Sequence, residues 1–493
     1  MTKTINKNRL FNIIFVSLIA ILIFAVRLYM LLKSKHPTGL DGYFYALQAK
    51  SLIVNGSLEN PDHELGYFFC GLFSRLFNDA ILGCKIWAAL SSALISVNIY
   101  ILLKNISKDK TYIPIAGLLI SASCVSLTLF NINFINNQTG LVFFLSYCTA
   151  LISFLKKQFI TNKQKIFSLI LCIILLICSA LCHLVSAAYA FIFTAVLFIR
   201  KMKLKNQVIL IAVSLVLGLL LFFNQLPRFA SVFNFGPVLP IFSKQMCMLA
   251  GYPVCIEITS YFITTWILAI VYCCISKKID FLVLLVPVLF FPFWKLDILD
   301  MGYRMLLNAV PCAIVLNLYF LDKLLNTYSN SLIYKNVFGV IFIINFTALF
   351  STPKLYNPRK DPPFDYYKTV VEQIDLDDDS LLIAHLPINH VYTYYCNLRD
   401  GLNYEADFYV PEGKNWRLAY GTNADYLKQF FGEYEEDELC NLIKQLSPEY
   451  TLIREDLWQR YLKYEEDEIV DSLMNFYNPH TYRPEFIRKK SLD

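Results

Sequence analysis

The sequence predicts a polytopic α-helical membrane protein with about eleven transmembrane helices and a C-terminal α/β domain outside the membrane. Three observations predict it. Of the 493 residues, 56% are hydrophobic and only 17% charged, with a mean hydropathy of +0.49, far from the balance of a soluble globular chain. Apolar runs of the ~20 residues needed to cross a hydrocarbon core of about 30 Å recur between Phe11 and Phe350, then stop. The links between runs alternate in Lys and Arg content, as the positive-inside rule demands. The net charge of +6 is spread over those links, which is an orientation signal, so no nucleic-acid partner is expected.

Taken in order, Lys3, Lys7 and Arg9 precede a first run at 11–32. It is too long for a signal peptide and no small-residue cleavage site follows, so it reads as an uncleaved anchor with its N-terminus in the cytoplasm. The first external loop, 33–79, holds a helical stretch through Leu52, a polar turn at 55–64 and a helix at the outer surface over 65–77. The chain returns through 80–103 to Lys104, Lys108 and Lys110, leaves through 112–130, and comes back from a short external link at 131–139 through 140–155. The run 166–199, flanked by basic clusters at both ends, would be about 51 Å long as a single helix. Two short passes turning near Cys182-His183 fit a core of about 30 Å better.

The run 208–226 leads to a long external loop at 227–257, and 258–275 returns to Lys277-Lys278. A short run at 279–293, interrupted by Pro287 and Pro292, leads out to Asp297 and Asp300; 305–321 returns and 332–350 exits. This divides the chain into a membrane part, 1–350, and an extracytoplasmic domain, 351–493. The domain opens at a Pro-rich link, 357–363, and alternates strand-like runs at 380–386 and 450–453 with helical runs at 437–446 and 457–476. The 14 cysteines mostly lie in apolar runs and read as small core residues, while Cys247 and Cys255 share one predicted external loop, which leaves a disulfide between them open. Frequent Ile, Asn and Lys point to an AT-rich bacterial genome, hence a bacterial plasma membrane.

Asp41, just beyond the first membrane run, has two readings. A carboxylate partly desolvated by Tyr43, Phe44, Tyr45 and lipid is a better base than one in open water. The same residue before a helical run is also a preferred N-cap. His183 at a helix turn reads either as a hydrogen-bonded structural residue or as a contact for a head group or acceptor. Asp62-His63-Glu64 suggests a metal site, but three consecutive residues rarely converge on one ion, and a solvated turn fits better. Arg27, costing roughly 2.5–3.5 kcal/mol if left at mid-membrane, should reach the interface, pair with Asp41 or bind phosphate.

The surroundings of Asp41 form a specific arrangement. A long first membrane helix is followed by Gly39-Leu40-Asp41-Gly42-Tyr43-Phe44-Tyr45-Ala46, then a helix ending at Asn55-Gly56 and an acidic turn. After these come Gly66-Tyr67-Phe68-Phe69-Cys70-Gly71-Leu72-Phe73-Ser74-Arg75-Leu76-Phe77-Asn78-Asp79 and a second membrane helix. This resembles the GT-C superfamily of membrane glycosyltransferases, which includes the protein O-mannosyltransferases and the lipid A aminoarabinose transferases. The resemblance is strongest over 11–104 and reaches the C-terminal domain only in position and size. It implies a GT-C-like catalytic membrane domain that transfers a hexosyl or pentosyl group from a polyprenyl-phosphate donor to an envelope lipid, glycan or protein at the extracytoplasmic face, with inversion. It also implies that Asp41 is the catalytic carboxylate. Many members carry an acid beside that aspartate, where this chain has Gly42. Metal-dependent oligosaccharyl transferases draw a further acidic ligand from a second external loop. The link at 131–139 has none, so neither a cofactor nor an essential metal is expected.

One carboxylate suffices physically, because a phosphate leaving group needs no general acid, unlike the glycosidic oxygen that hydrolases handle with two carboxyls. What remains is to deprotonate the acceptor and to neutralise the departing phosphate. Arg304, beginning a membrane helix after Asp297 and Asp300, and Arg228 and Lys244 in the long loop are the candidate phosphate-binding cations. The bland readings are an Arg304–Asp300 ion pair and interfacial snorkelling of Arg228 and Lys244. Tyr43, Tyr45, His183 and Asp300 are candidate donor or acceptor contacts. The expected partners are a lipid-linked sugar donor and membrane lipid. Competing readings are an O-antigen ligase or polymerase whose base and clamp lie in the 227–257 loop, a transporter or flippase, and a non-enzymatic scaffold or sensor.

Overall fold

The computed structural model describes residues 7–39, 41–59, 64–156, 161–199, 241, 251–276, 301–328, 331–360, 364–372, 382–383, 390–391, 394–395, 450–454 and 484–489. These fall into two units. One comprises 1–31, 63–66 and 88–356; the other comprises 32–62, 67–87 and 357–493.

The first unit is helical. It contains α1 (Lys7–Leu31), most of α4 (Ala80–Ile106), α5 (Tyr112–Ser123), α6 (Val125–Asn133), α7 (Ile135–Lys156), α8 (Asn162–Cys182) and α9 (Leu184–Ile199). Then come α10 (Tyr252–Ser276), α11 (Met301–Tyr328) and α12 (Ser331–Ser351). Among the described residues, seven helices are long and apolar enough to cross a membrane, or eight if α5 and α6 count as one bent span. The chain is thus an integral membrane protein. The predicted runs 208–226 and 279–293 lie outside the described residues.

Leu306, Leu307, Ala309, Val310, Ala313 and Ile314 of α11 are buried among Ile258 and Phe262 of α10, Ile99 and Leu103 of α4 and Tyr189 of α9, which makes α11 the centre of the unit. By contrast α8 leaves Ile166, Phe167, Ile170, Ile173, Ile174 and Ile177 exposed around much of its circumference, the surface expected of a helix against lipid tails. The turn of the 166–199 run falls at His183, as its length required.

Three boundaries differ from the sequence reading, the first two because a polar side chain from elsewhere satisfies the backbone or the helix interior. The single helix expected over 112–130 is broken at Cys124, where the backbone is extended and the two pieces meet at 53°. The external link expected at 131–139 contracts to Phe134, and Asn136, Asn137, Gln138 and Thr139 are buried on α7. Gln138 donates through Nε2 to Ala88 O and Ser91 Oγ, both at 2.6 Å, and Asn131 donates to Ser92 Oγ at 3.3 Å. The polar run that looked like a loop is hydrogen-bonding glue between α4, α6 and α7. The 227–257 loop ends earlier than expected because α10 begins at Tyr252, which places Glu257 on a helix and Cys255 buried in its first turn; Cys247 lies outside the described residues.

The second unit holds α2 (Gly42–Val54), α3 (Leu65–Phe77) from Tyr67 onward, the first two turns of α4 and α13 (Phe364–Val371). A three-stranded sheet completes it: β1 (Leu382–Ile383) parallel to β2 (Tyr450–Arg454), which is antiparallel to β3 (Pro484–Lys489). The strand-like runs at 380–386 and 450–453 correspond to β1 and β2. The helical runs at 437–446 and 457–476 lie outside the described residues.

Candidate functional site

Asp41 stands in a turn built for close approach. Gly39 has φ of 79°, which disfavours a side chain there. At Gly42 a Cβ would lie 2.9 Å from Pro37 Cβ and 3.0 Å from its carbonyl carbon, so the turn needs glycine next to the aspartate. That is a steric reason for the missing neighbouring acid. Asp41 occupies the N-cap position of α2, and its carbonyl accepts from Tyr45 N at 3.1 Å. Its half-buried side chain makes no capping hydrogen bond. The position is therefore that of a cap, while the carboxylate does not perform that task.

Behind Asp41, α2 is fastened by a network within its unit. The fully buried Tyr43 places its hydroxyl 2.7 Å from His36 Nδ1 and 2.9 Å from Tyr395 Oη. His36 Nε2 lies 3.0 Å from Asp365 Oδ1, which Lys35 Nζ also reaches at 2.5 Å. Burial pushes the His36 pKa down, partly offset by Asp365, while Lys35 and His36 hold the Asp365 carboxyl below the usual range. Burial also drives the Tyr43 pKa up, so this hydroxyl stays neutral and serves the loop's shape. Phe364 meets Tyr43 edge-on at 4.8 Å, Tyr45 packs on Tyr67 at 5.7 Å, and Phe44 lies 5.0 Å from His390. Lys50 donates to the Tyr394 carbonyl. Lys85, only 4% exposed, donates to Ser34 O at 2.6 Å and is the buried lysine of this unit among the described residues.

In the helical unit, His183 caps α8 with an extended backbone. Its Nδ1 accepts from Val185 N at 3.2 Å, and its Nε2 lies 3.5 Å from Arg304 Nη1. A charged ring would aim N–H groups at two donors. Burial first and Arg304 second push its pKa down to about 4, so His183 is neutral at physiological pH. Arg304, in the first turn of α11, lies over the Phe134 ring at 5.3 Å. Asn308 donates to Arg304 O at 2.8 Å and accepts from Ser186 Oγ at 3.0 Å, which pins this turn of α11 to α9. Glu64 accepts from Asn136. Asp62, His63, Arg228, Lys244 and Asp300 lie outside the described residues.

Arg27 does not reach the interface. It is fully buried and its Nη2 donates at 2.7 Å to Ala122 O, the carbonyl released where α5 ends. Across the break Glu257 receives Val125 N at 3.0 Å, Ser126 N at 2.7 Å and Ser126 Oγ at 2.6 Å, so it caps α6. A cation at the C-terminal end of one helix and an anion at the N-terminal end of the next each complement a helix dipole.

The sequence reading missed Lys85, His36, Asp365, Tyr395 and Glu257. A lone lysine inside the apolar run 80–103 was a usable signal for Lys85. No local pattern announces that residues 364–395 share a unit with 32–62.

No family model matches the chain, and no curated protein matches it. Among the solved structures similar to it are ArnT from Cupriavidus metallidurans in the apo state and the same protein bound to undecaprenyl phosphate. Each alignment covers 78% of this chain and 84% of that chain, at 12% identity and a TM-score of 0.39.

Proposed function

We propose that this protein is a membrane glycosyltransferase of the bacterial plasma membrane, transferring a sugar from a polyprenyl-phosphate donor to an envelope acceptor at the extracytoplasmic face. Asp41 is the base that deprotonates the acceptor nucleophile, and attack opposite the phosphate inverts the anomeric centre. Arg304 neutralises phosphate charge through its guanidinium. Lys85, a buried cation in the same unit as Asp41, is a second group for that task. Arg228 and Lys244 complete the proposed phosphate-binding set, and Tyr45, His183 and Asp300 are proposed donor or acceptor contacts. The reaction needs no metal, because the leaving phosphate is weakly basic and the cations offset its charge.

The observation that carries this reading is the geometry of Asp41. The residue holds the N-cap position of α2 with no side-chain cap bond, in a turn whose glycines are sterically required. A carboxylate used only to stabilise the helix would accept a backbone N–H. In the test, Asp41→Asn is expressed beside the parent chain and sugar transfer from a panel of polyprenyl-phosphate sugars is followed in membranes. Transfer should fall at least ~100-fold, the usual contribution of a general base, with membrane levels unchanged. Near-normal turnover would refute the assignment, and loss of activity in Arg228→Ala with Asp41→Asn active would favour the ligase reading.

A further inference from the structure

We propose that Cys70 of α3 and Cys84 of α4 are joined by a disulfide that fastens the end of the first loop to the membrane helix after it. The proposal requires only the outward orientation of loop 33–79 and is independent of the transfer reaction.

The two helices double back on each other through a tight corner. Asn78 takes a left-handed φ of 52°, Asp79 N donates back to Ser74 O at 3.1 Å, and Asp79 Oδ1 accepts from Leu82 N at 2.9 Å, so α4 begins at once. The backbones touch at Ser74 and Gly83: a Cβ on Gly83 would lie 2.3 Å from Ser74 N and 2.5 Å from Ser74 Cα. The Ser74 hydroxyl bridges the corner, donating to Cys70 O at 2.7 Å and to Ala80 O at 3.3 Å. Cys70 lies one turn before Ser74 and Cys84 directly follows Gly83, so the crossing brings the two side chains together. Both are free thiols enclosed at that crossing, Cys70 fully buried and Cys84 buried, and they influence each other electrostatically.

A thiol pair enclosed at a tight crossing on the outer side of the membrane meets the oxidising conditions in which disulfides persist. The two thiols each lose a hydrogen as the S–S bond forms. The two protons and two electrons reduce the disulfide of an extracytoplasmic thiol oxidoreductase to its dithiol. Because both sulfurs are enclosed once α3 has packed, exchange takes place on the emerging loop. Cys148 of α7 and Cys312 of α11 also influence each other electrostatically, but both lie in the middle of membrane-spanning helices, whereas Cys84 is in the second turn of its helix, so they serve as an internal control that stays reduced.

The test uses the full chain in its own membranes. Thiol exchange is quenched with acid, free thiols are alkylated in denaturant, and the sample is then reduced and treated with a second alkylator of different mass. Peptide mapping should find the second label on Cys70 and Cys84 and the first on Cys148 and Cys312. An unreduced digest should contain the two peptides linked and two hydrogens lighter than their sum. First label on Cys70 and Cys84, or a link seen only after solubilised protein has stood in air, would overturn the proposal. In Cys84→Ser, Cys70 should take the first label; a Cys70 still protected would have another partner, which also overturns it. Asp41→Asn should keep the link, so the bond and the transfer reaction are tested separately.

Discussion

Replacing Glu257 by alanine should destabilise the helical unit by about 3–5 kcal/mol, because three donors at the start of α6 lose their acceptor. The carboxylate receives three hydrogen bonds at 2.6–3.0 Å from Val125 and Ser126 at the start of α6. Each buried donor stranded without an acceptor costs about 1–3 kcal/mol. Those terms overlap with losing a helix cap, worth about 0.5–2 kcal/mol. Arg27, fully buried on the other side of the break, would also feel the loss of the Glu257 charge. Glu257→Gln keeps an amide oxygen for one N–H and should cost about 1–3 kcal/mol. Arg27→Met removes the cation with its desolvation cost and leaves Ala122 O unpaired, so it should cost less than Glu257→Ala. Purified protein in lipid nanodiscs, unfolded by heat with one protocol for all three variants, would give the ranking. A Glu257→Ala variant within ~1 kcal/mol of the parent, or Arg27→Met as the worst of the three, would refute the view that Glu257 is the main support of the bend between α5 and α6.

The depressed His183 pKa makes stability fall in acid. The unfolded chain takes up a proton near pH 6.5 and the folded one only near 4, so stability drops as pH falls between those values, by on the order of 3 kcal/mol. His183→Gln should flatten a midpoint-against-pH profile over that window; an unchanged slope would show that this ring is not enclosed. Gly83→Ala should lower stability by about 1–3 kcal/mol, read by the same unfolding assay, because its Cβ meets Ser74 backbone rather than a side chain that can swing away. Arg304→Lys keeps the charge but loses the planar fork, so transfer should weaken by about tenfold in kcat/KM, and Arg304→Ala by more. Equal activity of the lysine variant and the parent in a donor titration would argue against a bidentate phosphate contact.

Membrane embedding, the sequence of apolar runs and the turn at His183 follow from the chain alone, because hydrophobic length and charge are local quantities that a bilayer reads directly. The position of Asp41 before a helix was equally legible, as was Arg304 at the start of α11. Whether Asp41 spends its carboxylate on capping was not, since that depends on how Gly39 and Gly42 bend the turn against Pro37. The same limit hid Glu257 and the buried run from Asn136 to Thr139. A polar residue in an apolar sequence signals only that it needs a partner, and its partner lies on another helix. Residues 364–395 joined the first loop through His36, Tyr43 and Asp365, a pairing across more than 300 residues that no periodicity encodes. Chain chemistry thus determined what enters the membrane; only tertiary packing decided which polar groups find each other there, because that choice is made by proximity in space.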